Sequence, residues 1–142
     1  MPRRIYQLKV SLEGAESPIW RRILVSANVT LRQAHRVLQK AMGREGSQPY
    51  CFAQDGREFG NRQDEHVFLE DDSMFSLRYC LCLVGHTLEY RDGPWKYSIE
   101  LEAIQHVEGR FPWQVVGGVG VCPAPLGEAA VPRAARNARS LH

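Results

Sequence analysis

The sequence lacks the long apolar segments that would hold a protein in a membrane. No window approaches the roughly 20 consecutive apolar residues that a membrane-spanning helix needs. The opening MPRRIYQLKV carries basic side chains but no apolar core of the kind found in a secretory signal. We therefore expect a cytoplasmic protein that does not associate with membranes.

Cysteine is scarce and unevenly spaced. The chain has four cysteines and no C-x-x-C pair, so a zinc site built on two such pairs is not indicated. In a cytoplasmic protein we expect reduced thiols, with two of them buried on one face of a strand. We predict no metal and no cofactor. The four positions are Cys51, Cys80, Cys82 and Cys122.

Motifs of familiar catalytic sites are also missing. There is no G-x-S-x-G, and GGVGV at 117–121 is not followed by the Lys-Ser/Thr of a phosphate-binding loop. A run of acidic residues lacks the spacing of a calcium loop, so we expect a solvated loop there. The sequence therefore favours a protein that is not an enzyme. The acidic residues are Asp64, Glu65, Glu70, Asp71 and Asp72.

Positive and negative side chains nearly balance, with a net charge of +2, but they are unevenly distributed along the chain. Residues 1–43 hold eight Lys and Arg against two Glu, and residues 44–108 hold six against thirteen acidic residues. The basic segment is suited to a phosphate backbone or, alternatively, to the acidic segment of the same chain. The small net charge favours the second alternative.

The 142 residues fit a single domain, which we predict to span residues 1–123. Alternation predicts strands over residues 4–11 and 19–25, and Asp55-Gly56 predicts a hairpin. Residues 74–84 fit either a buried strand or a short helix. From Ala124 to His142 the chain is rich in Gly, Pro, Ala and Arg, which is typical of a flexible tail.

Asp92-Gly93-Pro94 predicts a second turn, followed by a strand with one polar face.

The clearest helix lies between Thr30 and Gly43. Thr30 and Gln33 have the spacing of a capping box, and Gly43 is suited to the left-handed end of a helix. The helix carries its apolar residues on one stripe and is expected to pack on a sheet.

Two further features are candidates for chemistry, and each has a structural alternative. His35, at the edge of the apolar stripe, is suited to a base or a metal ligand, but a core-edge histidine with one hydrogen bond is the commoner case. Arg21 and Arg22 point to opposite sides of a strand. One of them is suited to a phosphate contact, and we expect the other to pair with an acid in residues 64–72.

The stretch from Ile5 to Gly43 resembles the opening of the plasmid-borne open-reading-frame-three-like family, also called insertion-element passenger TnpR-like proteins. The resemblance continues more loosely to about Pro125. It implies an α+β domain in which a curved, mainly antiparallel sheet packs around one long helix, in the manner of an α/β roll. Residues that match the opening motif are Pro18, Ile19, Trp20, Arg21, Arg22, Thr30, Leu31, His35, Met42 and Gly43.

The chain resembles a divergent member of that family. The family's late motif, Y-D-F-G-D-x-W-x-H, corresponds here to YRDGPWKY, which keeps Asp92 and Trp95 but has Tyr97 in place of the histidine. Cys122 matches the family's late C-P segment. The resemblance implies that Trp20 anchors the packing of sheet on helix, and that any polar or metal site of the family is lost in this chain.

Two functions follow from these features. The first is a non-catalytic accessory domain, associated with mobile elements, that binds a nucleic acid or a protein through a basic surface. The second is a metal-dependent or nucleic-acid-processing enzyme with a degraded site made of His35, Asp92 and Cys122. The predicted basic surface consists of Arg3, Arg4, Arg21, Arg32, Arg36 and Lys40.

Overall fold

Alternating apolar and polar residues place the long strands of this chain in one open sheet. A computed structural model describes residues 2–44, 48–61 and 69–121. Its eight strands have the order β5-β4-β3-β6-β7-β1-β2-β8, and all neighbours are antiparallel except β4 and β5. The strands are β1 (Pro2–Leu12), β2 (Trp20–Ser26), β3 (Tyr50–Gln54), β4 (Arg57–Gly60), β5 (Glu70–Asp71), β6 (Thr87–Asp92), β7 (Trp95–Glu108) and β8 (Gln114–Val119).

The helical part is small. It comprises α1 (Leu31–Ala41), a turn of 3-10 helix (Asp72–Met74) and α2 (Leu77–Cys80). The predicted mainly antiparallel sheet is therefore confirmed. The predicted long helix is only 11 residues, about three turns, so the described part of the chain is mostly sheet with a short helix on it. No helix among the described residues has the length and apolar character needed to cross a membrane.

Both ends of α1 follow from local sequence. The Thr30 hydroxyl accepts a hydrogen bond from the Gln33 amide, and the Gln33 side chain accepts one from the Thr30 amide, so the predicted capping box is present. At the other end Gly43 has φ +71°, a left-handed conformation that glycine adopts without steric cost.

The turns that join neighbouring strands also form where they were predicted. Asp55 and Gly56 connect β3 to β4 with φ of 49° and 82°, values that the Asp-Gly pair accepts readily. Gly93, with φ 60°, connects β6 to β7. The ambiguous segment 74–84 contains α2, which Ser76 caps by accepting a hydrogen bond from the Tyr79 amide.

One face of the sheet is covered by the helices and forms the core. Side chains of β1, β2 and β7 surround the same small apolar space as side chains of α1, which shows that the helix packs on the sheet. The buried alternation of β7 begins at Trp95 and runs through Leu101, as predicted. The residues around the apolar space are Leu8, Ile23, Val25, Ala34, Val37, Leu38, Leu77 and Ile99.

The opposite face of the sheet is polar, and Trp20 lies on it. The ring of Trp20 is partly exposed, with Lys9 Nζ 4.9 Å and Arg22 Cζ 4.8 Å from the ring centroid. The prediction that Trp20 anchors the packing of sheet on helix is therefore wrong. Its strand carries apolar residues on both faces, and α1 covers the face of Ile23 and Val25 instead.

The glycines of β8 have a packing role. A Cβ on Gly118 would lie 2.8 Å from Arg21 Cδ, whereas a Cβ on Gly117 would find its nearest neighbour at 3.7 Å. Because Gly118 has no side chain, the Arg21 side chain has room to lie across β8 at this position. The predicted tail, residues 124–142, and Cys122 lie outside the described residues.

Candidate functional site

His35 and Asp92, which the family motif singles out, belong to one buried polar network between α1 and β6. The Nδ1 atom of His35 lies 2.7 Å from the hydroxyl of Tyr90. Gln39, one helical turn after His35, donates from Nε2 to the Tyr90 hydroxyl at 2.8 Å and to Asp92 Oδ2 at 3.0 Å. The structure therefore connects the histidine to the carboxylate through two intermediate side chains.

The inner end of the network is a buried ion pair. Arg44 Nε donates to Asp92 Oδ2 at 2.7 Å, and the side chains are only 3% and 1% exposed. Arg44 also lies near Trp95, with its Cζ 5.8 Å from the ring centroid. The charge of Asp92 is thus compensated inside the protein, and the pair fixes the chain after α1 against the β6–β7 turn.

The outer end of the network runs toward the surface through Tyr50. The imidazole of His35 stacks on the Tyr50 ring, and the Tyr50 hydroxyl donates to Asp72 Oδ2 at 2.5 Å. Arg32 Nε donates to Asp72 Oδ1 at 2.8 Å. Asp72 is completely buried, so the prediction that it belongs to a solvated loop is wrong. Asp64 and Glu65 of the same acidic run lie outside the described residues.

The electrostatics of the network keep its members from acting as a strong base or nucleophile. Burial lowers the pKa of His35, although Asp92 and Asp72 act in the opposite direction, so the imidazole is neutral at pH 7. Burial raises the pKa of Tyr90 far above its ordinary range. Burial and the hydrogen bond to Asp72 do the same for Tyr50. Both phenols therefore stay protonated.

The network has the properties of a structural element. His35 is buried and bonded to Tyr90, which confirms the prediction of a core-edge histidine with a hydrogen bond. Within the described parts of the chain, no group of three or more His, Cys, Asp or Glu side chains is arranged to hold a metal ion. Because Cys122 lies outside those parts, its predicted association with His35 and Asp92 stays a prediction.

The three described cysteines are free thiols in different surroundings. Cys80 is buried at the end of α2, and burial raises the pKa of its thiol to about 11. Cys82 is exposed, and Cys51 on β3 is partly buried. The prediction of two buried cysteines on one strand face is wrong, because α2 ends at Cys80 and Cys82 lies in the loop that follows.

Arg21 and Arg32 of the predicted basic surface are bonded to other parts of the chain. Arg21 donates to the carbonyl oxygens of Trp20, Val119 and Gly120, which ties β2 to β8. Arg32 pairs with Asp71 and Asp72.

Arg22, the other arginine of the motif, makes a bidentate pair with Glu102 on the polar face of the sheet. One of the two motif arginines was expected to pair with an acid in residues 64–72, but neither pairs with a described residue of that run.

The predicted basic residues are distributed over α1, the beginning of β1 and β2. Arg36 and Lys40 are exposed, one turn apart on α1. Arg3 and Arg4 precede the core of β1 and, being neighbours in a strand, point to opposite faces. Arg21 is opposite Val10, seven residues from Arg3 along β1, or about 23 Å at the rise of a strand.

A cleft lies at the end of the sheet where β1 begins. Because β1 is antiparallel to β2 and β7, and β2 is antiparallel to β8, the segment after β2 and the β7–β8 loop meet there. The cleft is open to solvent and has a volume of about 700 Å³. Its lining residues are Arg3, Ser26, Asn28, Val29, Gln33, Arg110, Phe111 and Pro112.

Among the described residues, the lining of this cleft is basic and includes no carboxylate. Arg3 donates from Nε to the Gly109 carbonyl, which holds its guanidinium beside the loop that carries Arg110. In the described parts of the chain, the arginines that pair with carboxylates are other ones: Arg22, Arg32, Arg44, Arg57 and Arg91. Arg3 and Arg110 are not among these arginines. The carboxylates that pair with the other arginines therefore do not neutralise the positive charge that Arg3 and Arg110 bring to the cleft.

Sequence reasoning identified Arg3 but missed most of the residues of both sites. Gln39 has a detectable signal, because it follows His35 by four residues on a helix face that is otherwise apolar. Arg44, directly after the helix-ending glycine, has no such signal, and neither do Tyr50 and Tyr90. Arg110 and Phe111 lie in a loop whose position depends on the order of the strands.

The mainly antiparallel sheet with a short covering helix and a basic cleft defines a small α+β protein. A family model described as "Plasmid pRiA4b ORF-3-like protein" matches residues 4–125, and the chain belongs to this family. The resemblance inferred from the opening motif is thus confirmed at the level of the family. The TnpR-like and insertion-element description is not tested by this match.

The chain is similar to the uncharacterized protein y4hQ of Sinorhizobium fredii, with 28% identity over 136 residues. The match covers 87% of this chain and 66% of that protein, so the chain spans just under two thirds of the relative's length. It is also similar in fold to the crystal structure of MM3350, a protein of unknown function from Methanosarcina mazei. That similarity has a TM-score of 0.76 and 23% identity, and it covers 86% of this chain and 73% of the other.

Proposed function

We propose that this protein is a non-catalytic binding domain that holds a nucleic acid by its phosphates in the cleft between Arg3 and Arg110. The observation that carries the proposal is the pair of arginines in an open cleft whose described lining residues include no carboxylate. A guanidinium presents a planar set of donors that matches the oxygens of a phosphate and keeps its charge at every physiological pH.

The size and position of the cleft support a binding role. A volume of about 700 Å³ is within the range of sites that accept small molecules or single groups of a larger ligand. Gln33 lies in the first turn of α1, and that turn carries no acidic side chain. The positive end of the helix dipole therefore adds to the attraction for an anion at this place.

The non-catalytic part of the proposal is supported by the state of the buried network. His35 and Asp92 are bonded to other side chains of the chain, and burial lowers the pKa of the histidine. These contacts account for the polar residues of the family motif as parts of the fold. A basic surface on α1, made of Arg36 and Lys40, is the alternative location for the same ligand.

The association with mobile elements is part of the proposal and rests on the family description, which names a plasmid. A protein encoded by an insertion element would bind the nucleic acid of that element, or would bind a partner that contacts this nucleic acid. A cytoplasmic location is the setting in which such a ligand is available.

The test is fluorescence anisotropy of labelled DNA with purified protein across a salt series. With two phosphates neutralised on a single strand, the slope of log affinity against log salt is expected to be about −1.4, from about −0.7 for each phosphate. Arg110→Gln should weaken binding several-fold at low salt and bring the slope closer to zero by about 0.7.

Arg36→Gln is the matched control, because it removes the same charge from an exposed position on α1. It should leave both affinity and slope close to those of the unmodified protein. If Arg36→Gln weakens binding and Arg110→Gln does not, the ligand lies on the helix. Absence of binding at low salt would contradict a nucleic-acid ligand altogether.

A further inference from the structure

Phe111 gives the cleft a property that a phosphate site alone does not need. Phe111 lines the cleft next to Arg110, and the residue is partly exposed. Two residues on, Trp113 packs against the main core cluster, and Phe111 is not among the partly buried residues that do so. The aromatic surface of Phe111 is therefore available to a ligand in the cleft.

We infer that the cleft takes single-stranded nucleic acid, with one base stacked on Phe111 and the adjoining phosphates on Arg3 and Arg110. This inference rests on the proposed function and names the class of nucleic acid. In a duplex the flat faces of the bases are covered by their neighbours, so a duplex offers nothing to an exposed ring. A single strand offers a base face beside each phosphate.

The other lining residues fit the same arrangement. Asn28 and Gln33 carry amide groups, which can donate and accept hydrogen bonds at base edges. Gln33 uses its oxygen for the capping box, so its amide nitrogen is the group available to a ligand. Pro112, with its fixed φ, restricts the loop directly after Phe111.

A broad duplex-binding surface is not supported by the positions of the basic residues. Arg21 lies about 23 Å from Arg3 along the sheet and is bonded to the β2–β8 backbone. Arg32 is paired with two aspartates. Arg3 and Arg110 lie together in a concave cleft, and this shape suits a strand of a few nucleotides.

The experiment compares a labelled thymidine oligomer of roughly 12 nucleotides, a length within the range of one such binding module, with a duplex of similar length. The single strand is expected to bind at least about ten times more tightly. Phe111→Leu should weaken binding of the single strand about tenfold, an effect within the range that one stacked base usually contributes to affinity. It should leave duplex binding unchanged. Phe111→Tyr, which keeps an aromatic ring, should restore it.

An oligomer with abasic sites separates stacking from charge. It keeps the phosphates, so it should bind about as weakly to the unmodified protein as the intact oligomer binds to Phe111→Leu. Equal affinity for single strand, duplex and abasic oligomer would overturn this inference and leave the proposed phosphate site intact. Absence of binding to all three at low salt would overturn both and would point to a protein partner.

Discussion

The imidazole of His35 lies parallel to the ring of Tyr50, with ring centroids 3.5 Å apart and an angle of 6° between the planes. Tyr50 is in turn bonded to a buried carboxylate, and His35 to Tyr90. A neutral imidazole fits this place between two phenols. A protonated one would bring a charge into a site from which most water is excluded.

Stability should therefore decrease as the pH falls below about 6.5. A histidine in the unfolded chain titrates near 6.5, and burial lowers the pKa of His35 in the folded protein. Between the two values the unfolded state binds more protons, so the contribution of His35 is fully present above about 6.5 and is lost as the pH falls toward the folded-state pKa. Urea unfolding at about pH 7.5 and pH 5.5 measures this change.

The variant His35→Gln, which cannot titrate, should show a smaller loss of stability over the same range. The pKa values of Glu70 and Glu102 are lowered below 4.5 by hydrogen bonds from Arg57 and Arg22, so their contributions are lost only at more acidic pH. An identical pH dependence in the variant and the unmodified protein would show that His35 does not carry the effect.

Two tryptophans of the family motif should differ strongly in their importance for stability. Trp95 is 3% exposed in the core, and its replacement by alanine should cost about 3–5 kcal/mol of unfolding free energy. Trp20 lies on the polar face beside Lys9 and Arg22, and the same replacement should cost about 1 kcal/mol, mainly from lost cation–π contact. Chemical denaturation of both variants tests the ranking. A larger loss for Trp20→Ala would place that ring in the core.

The adjacent glycines of β8 provide a second matched pair. In Gly118→Ala the new methyl group would lie 2.8 Å from both Arg21 Cδ and the Trp20 carbonyl oxygen, so overpacking should cost about 1–3 kcal/mol. Gly117→Ala has room, and its effect should be near zero or slightly stabilising. Thermal unfolding compares the two. Equal effects would mean that Arg21 does not lie across this strand.

The buried pair of Arg44 and Asp92 should show strong coupling in a double-mutant cycle. Each single replacement, Arg44→Met or Asp92→Asn, leaves a partner without its charge compensation and should cost about 3–5 kcal/mol. The double variant should lose less than the sum of the two.

Glu58→Gln is the control for this cycle, since Glu58 and Arg91 form an exposed pair. Its cost should stay below about 1 kcal/mol. Additive losses at Arg44 and Asp92 would mean that the two side chains contribute independently.

The parts of the fold that sequence reasoning predicted are those that depend on near neighbours. The capping box of Thr30 and Gln33, and the Asp55-Gly56 turn, involve residues at most three positions apart. The alternation that begins at Trp95 shows which face of β7 is buried, since one of its two faces is clearly polar. In each case the local sequence leaves little room for a different outcome.

The parts that could not be predicted depend on long-range packing. The orientation of Trp20 is ambiguous in the sequence because β2 carries apolar residues and an arginine on both faces, and the position of α1 decides between them. Contacts such as that between His35 and Tyr90 join residues 55 positions apart. The cleft exists because β1 lies between β2 and β7, which no local pattern indicates.

The central position of β1 also has a consequence for synthesis on the ribosome. Pro2–Leu12 is made before the other seven strands and can form a hairpin with β2 early, but its other edge pairs with β7, whose residues are made about 90 positions later. The pairing between these two strands, the longest in the sheet, can form only after β7 has emerged. Such long-range pairing slows folding, so nascent chains are expected to expose an unpaired β1 edge until Trp95–Glu108 arrives.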